Sequence, residues 1–276
     1  MGASVLILTL NEEINLPACL KSVKCCDDIV VLDSFSSDRT LEIAQGAGAR
    51  VVQRRFDNYA AQRNSALKEI QYKNPWVFMI DADERVTPEL MNEIEAAISQ
   101  NEPEITLYRV RRKDIFWGRW LHHSSGYPTW FGRLIKIGYV WIERQVNEEY
   151  KTNGKVGYLR EHLLHHPFNK GIKYWFERHN FYSSWEADIL HGERSRSFKF
   201  LSLLSSDPVV RRKVLKQLAY RLPLRPLLVF FYLYFVRFGF LDGQPGITYC
   251  ILRAIYEYMI VQKIKEIQRR ETSLPV

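Results

Sequence analysis

The chain reads as an α/β protein built on an open, mostly parallel sheet flanked by helices, with an apolar helical region at its carboxyl end. Two observations carry this. Short apolar runs alternate four times with helical segments in roughly the first 100 residues, a pattern that calls for a parallel sheet covered on both faces. The pattern then changes twice, to aromatic-rich strands over 105–168 and to helices beyond about residue 170 that become strongly apolar from 222.

The elements follow in order. "SVLIL" at 4–8 is the first strand, and Asn15 with Pro17 opens the helix after it. "DIVVLD" at 28–33 is the second strand; Ser37 or Asp38 can cap the next helix, which Gly46 and Gly48 end. "ARVVQ" is the third strand, "NYAAQRNSALKEI" a helix opened by Asn58, and "WVFMID" the fourth strand. Thr87 and Pro88 begin a helix with Leu90, Met91, Ile94 and Ile98 at helical spacing. Residues 105–168 read as further strands and loops of the same domain, with a turn at Asn153-Gly154. The expected organisation is therefore a catalytic domain over 1–190 and a helical membrane-associating region over 191–276.

Composition narrows the class. With 46% hydrophobic and 25% charged residues the chain is globular rather than disordered. Cys19, Cys25, Cys26 and Cys250 match neither a disulfide framework nor a CxxC metal spacing, so buried thiols in a reducing compartment are expected. "MGASVLILTLNEE" lacks the basic segment of a signal peptide, which places the expected catalytic face in the cytoplasm. The net charge of +8 is lopsided: residues 1–193 carry −2 and residues 194–276 carry +10.

That basic tail is also greasy. "LPLRPLLVFFYLYFVRFGFLDG" contains only 11 uninterrupted apolar residues, Pro226 to Val236, where a spanning helix needs about 20. Helices lying in or dipping into one leaflet are expected, with flanking cations meeting an anionic membrane surface. Nucleic acid is not an expected partner, because no reading module accompanies the charge. A helical subdomain or homo-oligomer interface is the alternative reading of the tail.

The chemistry gathers at the strand ends. "MIDADER" sets Asp81 and Asp83 at the carboxyl end of the fourth strand, where ligands of open sheets bind. Two close carboxylates repel unless a cation lies between them or their ligands, and Mg²⁺ takes one or two carboxylates plus phosphate oxygens. Taken alone, D-x-D is common and a decorated loop is an equal reading. Thr9 to Glu13, Asp33 to Asp38, and Gln62-Arg63-Asn64 bring further polar groups to that edge. Such groups suit a nucleoside diphosphate: a carboxylate for uracil N3–H, hydroxyls or acids for ribose, and Arg63 for diphosphate. Asp38 stands evenly between helix cap and ligand. The absence of G-x-G-x-x-G after the first strand argues against a dehydrogenase.

"ILTLNEE", "VVLDSFSSDRT", "AAQRNSAL" and "MIDADER" together resemble family 2 glycosyltransferases with the nucleotide-diphospho-sugar (GT-A) fold. The resemblance is nearer still to the lipopolysaccharide-core and exopolysaccharide glucosyltransferase branch. Its later motifs stand here as Arg111-Arg112, Phe116-Trp117-Gly118, Gly126-Tyr127-Pro128, Arg133-Leu134, Val146-Asn147-Glu148 and Leu163-Leu164-His165. The similarity covers roughly residues 3–190.

The resemblance implies an inverting, metal-dependent transfer of a hexose, glucose or a relative, from a UDP-sugar to a lipid-linked or lipopolysaccharide-core acceptor. Thr9, Leu10 and Glu12 would contact the base, Asp33 the uracil and Ser34 the ribose region. Arg63, Asn64, Asp81 and Ala82 would complete the nucleotide-sugar site. Asp83 would be the principal ligand of Mg²⁺ or Mn²⁺, with Asp81 and His165 assisting; His162, His166 and His179 compete for that last role. Glu148 matches the position of the base that takes the acceptor proton, and Glu149 is its neighbour and rival. Many members have a His where Asn147 stands, which suggests that the His is not the proton acceptor, and two acids where Asp33-Ser34 stands. Trp117, Trp120, Tyr127 and Arg133, with Trp130, are acceptor-side candidates, although aromatics at such density more often form core. A sugar nucleotidyltransferase and a non-catalytic membrane-associated scaffold are the alternative functions.

Overall fold

The computed structural model describes residues 2–100, 102–143, 149–194 and 224–275, without the side chains of 193 and 194. The chain forms two compact units. The first comprises 1–120 and 127–170; the second comprises 121–126 and 171–276. The division thus falls after Lys170, ahead of the boundary expected at 190.

The first unit is built on a nine-stranded sheet. Its strands are β1 (Ala3–Thr9), β2 (Ile29–Asp33), β3 (Arg50–Gln53), β4 (Trp76–Asp81), β5 (Glu84–Val86), β6 (Ile105–Phe116), β7 (Arg119–Trp120), β8 (Trp130–Lys136) and β11 (Lys155–His165). They run in the order β3-β2-β1-β4-β8-β6-β11-β5, with β7 beside β6. The pairs β3-β2, β2-β1, β1-β4 and β6-β11 are parallel, while β8 and β5 pair antiparallel with their neighbours. The α/β, mostly parallel sheet expected from sequence is present. A separate hairpin joins β9 (Val140–Glu143) and β10 (Glu149–Thr152).

Four helices complete this unit: α1 (Leu16–Ser22), α2 (Thr40–Gly46), α3 (Tyr59–Glu69) and α4 (Pro88–Ser99). Asn58 caps α3 by accepting from Ala61 N, and Thr87 caps α4 by accepting from Leu90 N, as their residue types predict. Alternation along the central strands divides the core between the two sheet faces. Val5, Ile7, Phe78 and Ile80 join α1 and α4 on one face; Leu6, Val77, Met79 and Ala66 of α3 pack on the other. A fully buried parallel centre of this kind points its polar strand ends at one edge, and that edge carries the site.

"FWG" is a two-residue hairpin turn. Trp117 (φ 48°) and Gly118 (φ 73°) are both left-handed, joining Phe116 to its partner Arg119, the geometry that two-residue hairpins require.

The second unit contains α5 (Gly171–Arg194), α6 (Arg225–Phe231), a π-helical turn (Tyr232–Val236), a 3₁₀ turn (Gly239–Asp242) and α7 (Gly243–Glu271). Lys263 of α7 holds α5 through Asn180 Oδ1 (2.7 Å), Ser183 Oγ (2.8 Å) and Ser184 Oγ (2.8 Å). Inside the unit Arg225 forms a buried ion pair with Glu257, which Arg253 joins at 3.2 Å. Among the described residues no single helix is long and apolar enough to cross a membrane. The pair Arg225–Val236 and Gly239–Glu271 passes only jointly and is bent by 72°. All four cysteines are free, and Cys25 is exposed rather than buried.

Candidate active site

Four segments meet at the carboxyl ends of β1, β2 and β4: the loops after these strands and the end of β11. The parallel pairing Leu8↔Leu32, Thr9↔Asp33 and Leu8↔Asp81 brings their polar residues level with one another.

Asp81 lies between two guanidinium groups, Arg63 Nη2 at 2.9 Å and Arg133 Nη2 at 2.8 Å. Burial opposes ionisation of Asp81, but Arg133 and Arg63 outweigh it and hold its carboxyl far below the usual range. Arg133 also meets Glu84 at 2.6 Å, and Arg112 stands 3.7 Å from that same carboxylate. Glu84 in turn accepts from the backbone N–H of Asp81 at 3.0 Å. Much of the negative charge of the motif is thereby neutralised from within.

Asp83 is placed differently. Its Oδ2 is 3.3 Å from His165 Nε2, and His165 Nδ1 is 2.7 Å from Asp114 Oδ1. A neutral imidazole that donates from Nδ1 to Asp114 presents a lone pair at Nε2, facing another acceptor on Asp83. That juxtaposition needs a positive charge between the two atoms: either a proton, or a cation in its place. Burial and Arg112 lower the His165 pKa, yet Asp83 and Asp114 outweigh them and raise it. A carboxylate behind a ligating imidazole is the usual support of a metal site. The donors therefore fit a divalent cation with two protein ligands. Among the described residues no cluster of three or more His, Cys, Asp or Glu side chains could hold a metal ion, so diphosphate oxygens and water would complete the shell.

The first two strand ends form a hydrogen-bonded cup. Asp33 is 0% exposed and accepts from Thr9 Oγ1 (3.0 Å), Ser36 N (2.9 Å), Ser36 Oγ (2.5 Å) and Gln53 Nε2 (3.3 Å). It shapes the cup from beneath, where a direct contact with the base was expected. Ser34 Oγ accepts from Gln62 Nε2 at 3.1 Å, and Ser34 N donates to Thr9 O. Leu10 is 45% exposed at the rim. Glu12 pairs with Lys170 at 2.5 Å and accepts from Asn15 at 2.9 Å. Burial raises its pKa against the opposing pull of Lys170. Asp38 accepts from Glu13 N and Thr40 N, fastening the loop after β1 to the start of α2.

Several expected ligands have internal partners instead. Asn64 spends its amide on β9, donating to Ile142 O at 2.7 Å and accepting from Ile142 N at 2.9 Å, so it is a strand clasp. Arg133, expected on the acceptor side, is 3% exposed and serves Asp81 and Glu84. Asp81, expected to assist the metal, has both oxygens on arginines. Ala82 is buried, and its carbonyl accepts from Arg85 Nη1 at 2.7 Å. Trp117 stands at the hairpin tip, 59% exposed, while Trp120 and Tyr127 meet edge-on at 5.1 Å. Glu148 lies outside the described residues. Glu149 is paired with Lys151 at 2.7 Å. Asp114, Arg112 and Lys170 were not expected in the site; each arrives through long-range pairing that local sequence does not reveal.

Residues 4–173 match the model of glycosyl transferase family 2. The chain belongs to this family. It is similar to the lipopolysaccharide core biosynthesis glycosyltransferase LpsC of Rhizobium meliloti, with 27% identity over 95% of this chain and 91% of that protein. It is likewise similar to an uncharacterized glycosyltransferase of Rickettsia conorii, with 26% identity over 95% and 89%. Among solved structures, S. aureus TarS 1–349 with UDP-GlcNAc aligns over 98% of this chain and 92% of that one, at 15% identity and a TM-score of 0.44. Glucosyl-3-phosphoglycerate synthase of Mycobacterium tuberculosis, solved with Mn²⁺, UDP and glucosyl-3-phosphoglycerate, aligns over 40% and 44%, at 24% identity and a TM-score of 0.36. This family 2 member is accordingly a glycosyltransferase with a mixed α/β, GT-A-type domain.

Proposed function

We propose that this glycosyltransferase moves a glucose-like hexose, with inversion, from a UDP-sugar to a membrane-linked glycan acceptor of lipopolysaccharide-core or exopolysaccharide synthesis. The observation that carries the reading is the Asp83–His165–Asp114 arrangement at the carboxyl end of β4. It supports the coordination of Mg²⁺ or Mn²⁺ on a sugar-nucleotide diphosphate. LpsC, similar along nearly the whole chain, gives the acceptor class its support.

Each group then has one task. Thr9, Leu10 and Ser34 at the cup face the nucleoside, with Asp33 holding Thr9 and Ser36 in place. Asp83 and His165 would hold the cation, which would supply neutralisation of the diphosphate. Arg63 and Arg133 keep Asp81 ionised and fixed, so the loop carrying Asp83 is preorganised. Glu148 accepts the proton of the acceptor hydroxyl while that oxygen bonds to the anomeric carbon; the bond from that carbon to diphosphate breaks, and UDP leaves with the electron pair.

The second unit supports a place at the cytoplasmic face of a membrane. Leu227, Phe231, Phe235, Val236, Phe238 and Leu241 are all about half exposed or more, and large apolar side chains exposed in such number over one short segment suit an interaction surface. Arg237, Lys265, Arg269 and Arg270 add cations suited to anionic headgroups.

The test is a panel of nucleotide-sugars with Mn²⁺, scored by slow donor hydrolysis and thermal stabilisation. UDP-hexoses should score and the Glu148→Gln variant should lose turnover while keeping the stabilisation. A response confined to nucleoside triphosphates with release of diphosphate would replace transfer with nucleotidyl chemistry.

A further inference from the structure

Three neighbouring strands carry a row of side chains that the site above does not use. Trp130 on β8 is in register with Arg111 on β6, and Arg111 with His162 on β11. Lys113 follows two residues along β6 on the same face, while Asp114 turns to His165 on the other.

The row is a lattice of cations and rings. The Arg111 guanidinium lies 5.1 Å from the Trp130 ring centre, and Lys113 Nζ lies 4.7 Å from that of Trp120. Tyr127 Oη is 2.7 Å from His162 Nε2. Elsewhere in this unit the interior arginines are matched: Arg63, Arg112 and Arg133 all meet carboxylates. Arg111 and Lys113 are half-buried, and among the described residues neither has a carboxylate at ion-pair distance. Arg111 Nη2 donates to the carbonyl of Arg160, but its Nε is buried without an acceptor among the described residues. Such an orphan donor is costly unless a ligand fills it. The uncompensated charge is felt by His162: burial, then Lys113 and Arg111, push its pKa down to about 4.

We propose that this row is a subsite for an anionic saccharide, a sugar bearing a phosphate or carboxylate, on the acceptor side of the reaction. The proposal rests on the glycosyl-transfer reading and deepens it. Arg111 and Lys113 take the anionic group in charge-assisted hydrogen bonds, while the Trp and Tyr rings pack on the sugar's C–H faces. Half-buried cations set among rings reach a single small group; a lipid headgroup plane is met by cations that protrude from the surface. The row lies on the opposite strand face from Asp114 and His165, so it holds a part of the acceptor remote from the reacting hydroxyl. Binding energy gained there orients the reactive end.

The test titrates the full chain with glucose 6-phosphate, glucuronate and glucose, followed by tryptophan fluorescence at low and high salt. At least one charged sugar should bind about tenfold tighter than glucose, with a preference that shrinks in salt. The Arg111→Gln/Lys113→Gln double variant should lose that preference while keeping its Mn²⁺-dependent stabilisation by UDP; each single variant should lose part of it. Equal binding of all three sugars to the wild type overturns the subsite. So does a double variant that keeps the preference, or one whose only defect is weaker binding to anionic lipid vesicles. A wild type that UDP fails to stabilise sinks the donor reading by itself, whereas the subsite stands or falls on the charged-sugar preference.

Discussion

At Asp81 two guanidinium groups meet one carboxylate, and that pairing decides what the acidic motif can do next door. Asp83, two residues on, faces His165 instead. Asp83→Asn should therefore abolish Mn²⁺-dependent stabilisation by UDP and lower turnover about 100-fold or more, with the urea midpoint unmoved. Asp114→Asn should act through His165, weakening Mn²⁺ affinity about 10- to 100-fold; calorimetric titration of the metal checks both. Arg133 predicts the reverse pattern. Arg133→Met leaves Glu84 buried with only Arg112 at 3.7 Å, so stability should fall by about 3–5 kcal/mol in urea unfolding. An unchanged midpoint would refute the structural role given to Arg133. The motif residues of this site were legible in sequence because acids gathered at the ends of buried strands are costly to hold there without a cation or a ligand. Their partners were not: Asn64 and Arg133 read as ligand contacts because the groups that claim them, Ile142 for one and Asp81 and Glu84 for the other, lie far away in the chain, and Asp33 is held both by distant Thr9 and Gln53 and by its neighbour Ser36.

Elements with strong local signals were the most legible. The four β–α alternations, the caps at Asn58 and Thr87, and the buried β1 and β4 all follow from residue type and periodicity. The hairpin at Trp117-Gly118 and the short β5 did not, since a bulky residue at positive φ is rare and a three-residue strand leaves no period to read. In the second unit, α5 carries a pH signature. His179 stacks on Trp175 at 3.7 Å and meets Tyr256 of α7. Burial is the largest cause pushing its pKa down, to about 3. A depressed imidazole binds its proton in the unfolded chain first, so its contribution is complete above the ordinary pKa of about 6.5 and is lost as pH falls toward 3. Between those limits stability should decline by up to about 1.4 kcal/mol per pH unit from this group. The His179→Phe variant should lack that component of the slope; an identical slope would contradict it.

For the whole molecule, the charge asymmetry and the apolar helices were plain in the sequence, and the structure exposes the latter's large side chains. The division after Lys170 coincides with the change to helical patterning at about residue 170; the boundary expected at 190 lay later because the resemblance to the family runs on to that point. Removing the residues after 223 should release the protein from anionic vesicles in a flotation assay while UDP and Mn²⁺ still stabilise the remainder. A truncated chain that still floats would assign membrane contact elsewhere. The central claim is that Asp83 and His165 grip a nucleotide diphosphate through a shared divalent cation. Calorimetric titration of UDP with and without Mn²⁺ tests it most directly. The account predicts tight binding only with the metal, and its loss in Asp83→Asn; UDP that binds equally well without metal, or a metal response untouched by Asp83→Asn, would contradict it.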